Sequence, residues 1–127
     1  MGLSRDAAIL IVDNLSSSAG MVRKILSDLG YTNLIETVGG QEAFNKIKSK
    51  KIDLIVSDWK ISDMSGMELL EEVKQDEELK EIPFLMVLPK TQDEEIIMAV
   101  QAGVNSYILK PVTAQGLEEK IKRMYNS

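Results

Sequence analysis

The chain has 127 residues, with 15 Lys and Arg against 20 Asp and Glu and neither cysteine nor histidine. Thiol catalysis, thiolate or His-ligated metal sites and Ser-His-Asp hydrolysis are therefore excluded, and any chemistry falls to carboxylates, lysines and hydroxyls. A net charge of −5 argues against a nucleic-acid surface, and no apolar run approaches the ~18 residues of a membrane span, so a cytoplasmic location is expected.

Met1 to Ser4 carry no signal-peptide core and are set aside. Ala7 to Val12 form a continuous apolar run closed by Asp13 and Asn14, the pattern of a strand buried on both faces. Ser16, Ser17 and Ser18 can cap a helix whose inward positions are Met21, Val22, Ile25, Leu26 and Leu29, with Gly30 as its left-handed end. The same serine run could instead wrap a phosphate at a helix N-terminus, as in a flavodoxin-like nucleotide binder; capping is the simpler reading. Leu34 to Thr37 suggest a brief strand, Gly39-Gly40 break it, and Ala43, Phe44 and Ile47 carry a second helix.

Ile52 to Val56 repeat the buried-strand pattern and stop at Ser57-Asp58. In open parallel sheets ligands gather beyond the carboxyl ends of the strands, so Asp58 stands either at a chemical site or at an ordinary turn. Gly66 opens a third helix with Met67, Leu70 and Val73 inward, and Pro83 to Leu88 form a fourth strand with proline at its first position. Asp93-Glu94-Glu95 suit the positive end of a fourth helix with Ile96, Ile97 and Val100 inward. Ser106 to Lys110 form the last strand, stopped by Pro111, and the last helix starts near Thr113 with Leu117, Ile121 and Met124 inward. The seven methionines read as core filler.

Five strands alternating with five helices describe one α/β domain with a doubly wound parallel sheet, its core spanning about residues 7–125. All strand ends then share one edge, which gathers Asp13, Asn14, Asp58, Leu88 and Lys110 around one crevice. Close carboxylates need a cation between them, and oxygen ligands suit a hard ion such as Mg2+. Lys110 either pairs with Asp58 or holds an incoming phosphoryl oxygen.

The segments ILIVDN, IVSDWKISDMSGMELL, PFLMV and AGVNSYILKP resemble the response-regulator receiver family, and closely its chemotaxis single-domain members, from about Ile9 to Met124. The resemblance implies the flavodoxin-like receiver topology and two-component phosphorelay signalling. Asp58 would accept a phosphoryl group from a histidine kinase, Lys110 would be the countercharge, and Mg2+ would be held by Asp13, Asn14, Asp58 and the backbone carbonyl of Lys60. It further implies a cis peptide at Lys110–Pro111 and a protein partner on the face of the fourth helix, last strand and last helix. Such a domain is no classical enzyme; it accepts the phosphoryl group and at most removes it from itself.

Three departures from the family pattern bear on function. Asn14 stands where the family has a second acid, removing a charge worth up to about 4 kcal/mol at 4 Å and an effective dielectric of 20, so Mg2+ affinity is expected to fall. Leu88 replaces the Ser or Thr of the switch, which leaves Tyr107 without the hydroxyl to which the family's aromatic couples. Ser62 stands where the family often has proline. A degenerate receiver that binds partners without a phosphoryl cycle is the alternative these changes suggest.

Overall fold

A computed structural model describes residues 2–13, 17–89 and 93–125. The elements run β1 (Ala8–Val12), α1 (Ser17–Asp28), β2 (Asn33–Thr37), α2 (Gly40–Ser49), β3 (Leu54–Asp58), α3 (Gly66–Gln75), β4 (Phe84–Leu88), α4 (Asp93–Gln101), β5 (Ser106–Leu109) and α5 (Ala114–Tyr125). The five strands form one parallel sheet in the order β2-β1-β3-β4-β5. Every residue of β1, β3 and β4 is buried, which is why these stretches read as unbroken apolar runs. The edge strands β2 and β5 are only partly covered.

The strand order reverses between β1 and β3, because the chain leaves β1 toward β2 and returns on its other side. Such a reversal opens a crevice at the carboxyl ends of the two strands. Val12 is in register with Ser57, so Asp13 and Asp58 lie side by side at that crevice.

Side-chain alternation divides the interior into two layers. On one side Ile9, Ile11, Leu54, Val56 and Val87 pack against Val22 and Leu26 of α1 and Leu117 and Ile121 of α5. On the other, Leu10, Val12, Ile55, Met86 and Leu88 pack against Ala43 and Ile47 of α2 and Leu69, Leu70 and Val73 of α3. Asp13 and Asp58 each follow the last α1/α5-facing residue of their strand by two positions, whereas Leu88 follows Met86 into the α2/α3 layer. Leu3, before the first strand, is also buried in the α1/α5 layer, so part of the leading segment belongs to the core.

Local chemistry fixes the ends of the helices. Ser65 and Glu68 form a reciprocal capping box at the start of α3. The Gly116 N–H donates to Thr113 Oγ1 at 3.1 Å before α5, and Gly30, with φ of 101°, closes α1 in the left-handed region. Cap assignments to Ser16, Ser17 and Ser18 lie outside the described residues and side chains.

Three helix faces differ from the sequence reading. In α4, Ile97 is 54% and Val100 57% exposed, while Ala99 is buried and Ile96 half-buried. The run Ile96 to Val100 offers two apolar faces, and the small Ala99 lets the helix approach the sheet where larger residues would hold it away. In α1, Met21 points outward, and in α3 Leu69 joins Leu70 and Val73 inside while Met67 is only half-buried. Methionine as core filler is thus correct for Met86 but not for Met21 and Met98, both exposed. No helix among the described residues is long and apolar enough to cross a membrane.

Candidate phosphoryl-acceptor site

The crevice is built from strand ends. Asp58, the last residue of β3, is 7% exposed and Asp13, immediately after β1, 5%. The Lys110 ammonium donates to Asp58 Oδ2 at 3.0 Å, and the Trp59 N–H donates to Asp58 Oδ1 at 2.7 Å. Each carboxylate oxygen therefore has one donor and retains lone pairs toward the crevice. Lys110 is carried just beyond β5, where its N–H donates to the Leu88 carbonyl at 2.9 Å, and the Lys110–Pro111 bond is cis. The Asp13 N–H donates to the Thr37 carbonyl at 3.1 Å, extending the β1–β2 ladder to the crevice.

Beneath the carboxylates lies a small cavity lined by Ile11, Val12, Asp13, Val22, Val56, Asp58 and Val87. Its walls are mostly aliphatic. The Asp58 side chain is nearly covered while that of Lys110 is 36% exposed, so the pair opens to solvent on the lysine side.

The remaining candidates fall in different places. Asn14 lies outside the described residues. The Lys60 carbonyl belongs to a short loop after Asp58, closed by an isolated antiparallel bridge between Lys60 and Ser65 and by the Gly66 N–H donating to the Trp59 carbonyl at 2.6 Å. Leu88 contributes no side chain to the crevice: it is 0% exposed within the α2/α3 layer. Tyr107 is half-buried in that same layer, and the Lys120 ammonium sits 5.1 Å from the centre of its ring. Asp13, Asp58 and Lys110 thus come together, while the side chains of Leu88 and Tyr107 pack in the α2/α3 layer.

The two carboxylates offer oxygen donors only, which suit Mg2+ and are poor for softer ions. Among the described residues no group of three or more acidic side chains gathers, so protein ligands beyond the pair would come from backbone oxygen or Asn14.

One participant was missed from sequence. Asp63, at the tip of the same loop, accepts from the Gly40 N–H at 2.6 Å and the Gln41 N–H at 3.0 Å, capping α2 from outside. Bonds from the Gln41 and Gly40 N–H groups hold its carboxyl below the usual carboxylate range. The available signal was the start of α2 itself, because Gly39 provides no side-chain cap and a helix start needs one from elsewhere.

A doubly wound parallel sheet with an acid at the ends of its first and third strands, and a lysine just beyond its last strand bonded to the second acid, is the arrangement of a receiver domain. Comparison with known proteins agrees: the chain matches the response regulator receiver domain family over residues 9–122 and belongs to that family. It is 44% identical over 117 residues to the chemotaxis protein CheY of Pseudomonas aeruginosa, covering 92% of this chain and 94% of that one. Among solved structures it resembles the chemotaxis response regulator CheY4 of Vibrio cholerae, with a TM-score of 0.84 and 28% identity over 94% of this chain and 98% of that one. It also shares its fold with the receiver domain of a sensor histidine kinase from Pseudomonas aeruginosa, with a TM-score of 0.86 and 21% identity over 96% of this chain and 99% of that one; that structure has a magnesium ion coordinated in its active-site cleft. The chain is a receiver domain of two-component phosphorelay signalling, and the flavodoxin-like nucleotide-binding alternative falls with this assignment.

Proposed function

We propose that Asp58 accepts a phosphoryl group from a histidine kinase. The observation that carries this reading is the 3.0 Å contact between the Lys110 ammonium and Asp58 Oδ2 at the crevice where the strand order reverses. An Asp58 oxygen attacks phosphorus, the new O–P bond forms as the N–P bond of the phosphohistidine breaks, and the departing imidazole keeps the electron pair. Lys110 then balances charge on the transferred group, a role for which a compact ammonium on a flexible stem is suited.

Asp13, Asp58, the Lys60 carbonyl and, by its residue type, Asn14 would hold Mg2+. When bound, the ion neutralises phosphoryl oxygens that would otherwise repel the attacking carboxylate. The chain's own contribution is placement: the β1–β3 register aligns the two acids, and the Trp59 N–H fixes the Asp58 carboxylate plane. Asn14 lowers the charge of this shell and with it the affinity for the ion. The downstream partner is assigned to the face of α4, β5 and α5, where Ile97, Met98 and Val100 stand exposed. A cytoplasmic location follows from a kinase partner.

A receiver without a phosphoryl cycle would be expected to lack the nucleophile or its countercharge, and this chain keeps both in contact. Intact-mass measurement after incubation with a small-molecule phosphodonor and Mg2+ tests the proposal. One phosphoryl adduct is expected, absent from Asp58→Asn; an adduct that survives this substitution would place the chemistry elsewhere.

A further inference from the structure

We infer that Asp63 is a positioning residue for the phosphoryl-acceptor site: its carboxylate, forked onto the first-turn N–H groups of α2, holds the Lys60 carbonyl where a divalent cation can use it. The inference rests on the proposed role of that carbonyl as a metal ligand. Three observations support it.

The loop from Trp59 to Ser65 is fastened at its base. The Lys60–Ser65 bridge and the 2.6 Å bond from the Gly66 N–H to the Trp59 carbonyl close it, and the Ser65–Glu68 capping box ties its end to α3. Beyond these bonds, Ile61 is buried in the α2/α3 layer and Met64 packs against it, which leaves Ser62 and Asp63 as the polar part of the tip.

The tip is held by α2. Asp63 Oδ1 takes the Gly40 N–H at 2.6 Å and Oδ2 takes the Gln41 N–H at 3.0 Å, a two-point attachment that fixes orientation as well as distance. Both N–H groups belong to the positive end of the helix, where a carboxylate is favoured, and the lowered proton affinity of Asp63 agrees with it remaining ionised there.

The start of α2 is shaped to receive the loop. A Cβ on Gly39 would approach Asp63 Oδ1 to 2.8 Å and Ser62 Oγ to 2.9 Å, and a Cβ on Gly40 would overlap the Met64 side chain. The two consecutive glycines leave room for the side chains of Ser62, Asp63 and Met64 to lie close against the start of α2. Releasing Asp63 removes the polar hold on the tip and leaves the Lys60 peptide supported by the base and by the buried Ile61 side chain, and groups that orient a metal ligand without touching the metal commonly change affinity by about tenfold or more.

Mg2+ titration followed by Trp59 fluorescence tests this on the wild type, Asp63→Ala, Asp63→Asn and Lys48→Ala. Lys48 pairs with Asp76 at 3.0 Å, linking the far ends of α2 and α3 without touching the loop, so its removal controls for general loosening of α2. The expected result is about tenfold weaker Mg2+ binding in Asp63→Ala. Asp63→Asn should be intermediate because the amide keeps one acceptor oxygen while its NH2 group replaces the other, and Lys48→Ala should match the wild type. Amide exchange at residues 60–65 without Mg2+ should quicken in Asp63→Ala alone. Equal affinity in Asp63→Ala and wild type, or an equal loss in Lys48→Ala, would overturn the inference while leaving the metal reading intact. A wild type whose Trp59 does not respond to Mg2+ would overturn the metal reading and the inference with it.

Discussion

Replacing Leu88 by threonine should destabilise the resting protein and make it responsive. Leu88 is 0% exposed in the α2/α3 layer, and removing its buried methyl groups while introducing a hydroxyl without a partner costs about 3 kcal/mol. For a domain of this size that lowers the melting temperature by about 10 °C. In the receiver pattern a hydroxyl here bonds the phosphoryl group, and a hydrogen bond to a charged group contributes roughly 1.5–3 kcal/mol. That range shifts a two-state population roughly tenfold to a hundredfold. The wild-type protein lacks this state-dependent contact, and a ligand with no differential interaction moves no equilibrium. The assay is amide exchange or NMR shift mapping with and without beryllofluoride, after confirming that it binds both proteins. The wild type should change little at Tyr107 and α4, Leu88→Thr should change clearly, and the gap in melting temperature should narrow when the mimic is present. Pro89 limits how far the following loop can close, so the response need not reach the upper end of the range. A wild-type response at Tyr107 and α4 as large as that of Leu88→Thr would refute the reasoning.

Lys110→Ala removes the ammonium 3.0 Å from Asp58 Oδ2 and should slow phosphorylation by about a hundredfold or more, as read from the rate of adduct formation by intact mass. Asn14→Asp restores a carboxylate to the shell and should tighten Mg2+ binding in a Trp59 fluorescence titration; unchanged affinity would remove residue 14 from the metal ligands. The folded-state proton affinity of Asp63 is lowered from the ordinary value of 3.8, so the stability it contributes is fully present above that pH and lost as pH falls through the folded value. The difference in urea midpoint between wild type and Asp63→Asn should therefore be constant near neutrality and shrink below pH 3.8.

The sequence disclosed the parts of this fold governed by burial on both faces. Ile9 to Val12, Leu54 to Val56 and Phe84 to Leu88 admit no polar alternation, and strands with that pattern place the acids Asp13 and Asp58 on one edge. It was less informative where size competes with polarity. Ile97 and Val100 read as core because they are large and apolar, yet Ala99 faces the sheet, since approach distance favours the small residue. The attachment of Asp63 to α2 was hidden because its partners are backbone N–H groups 22 and 23 residues away. Contacts made to the main chain leave no trace in residue type at the receiving end, apart from the missing cap at Gly39.

The two-layered interior has a consequence for how this protein can change over generations. The groups proposed to handle the phosphoryl stand at the strand ends, whereas the Leu88 side chain packs against α2 and α3, so a change at Leu88 leaves the contact between Lys110 and Asp58 in place. Under the proposed function, variation at Leu88 would tune the response while Asp58 and Lys110 stay under unaltered constraint. Two inheritable traits, charging and responding, would thereby become separately adjustable within one small chain.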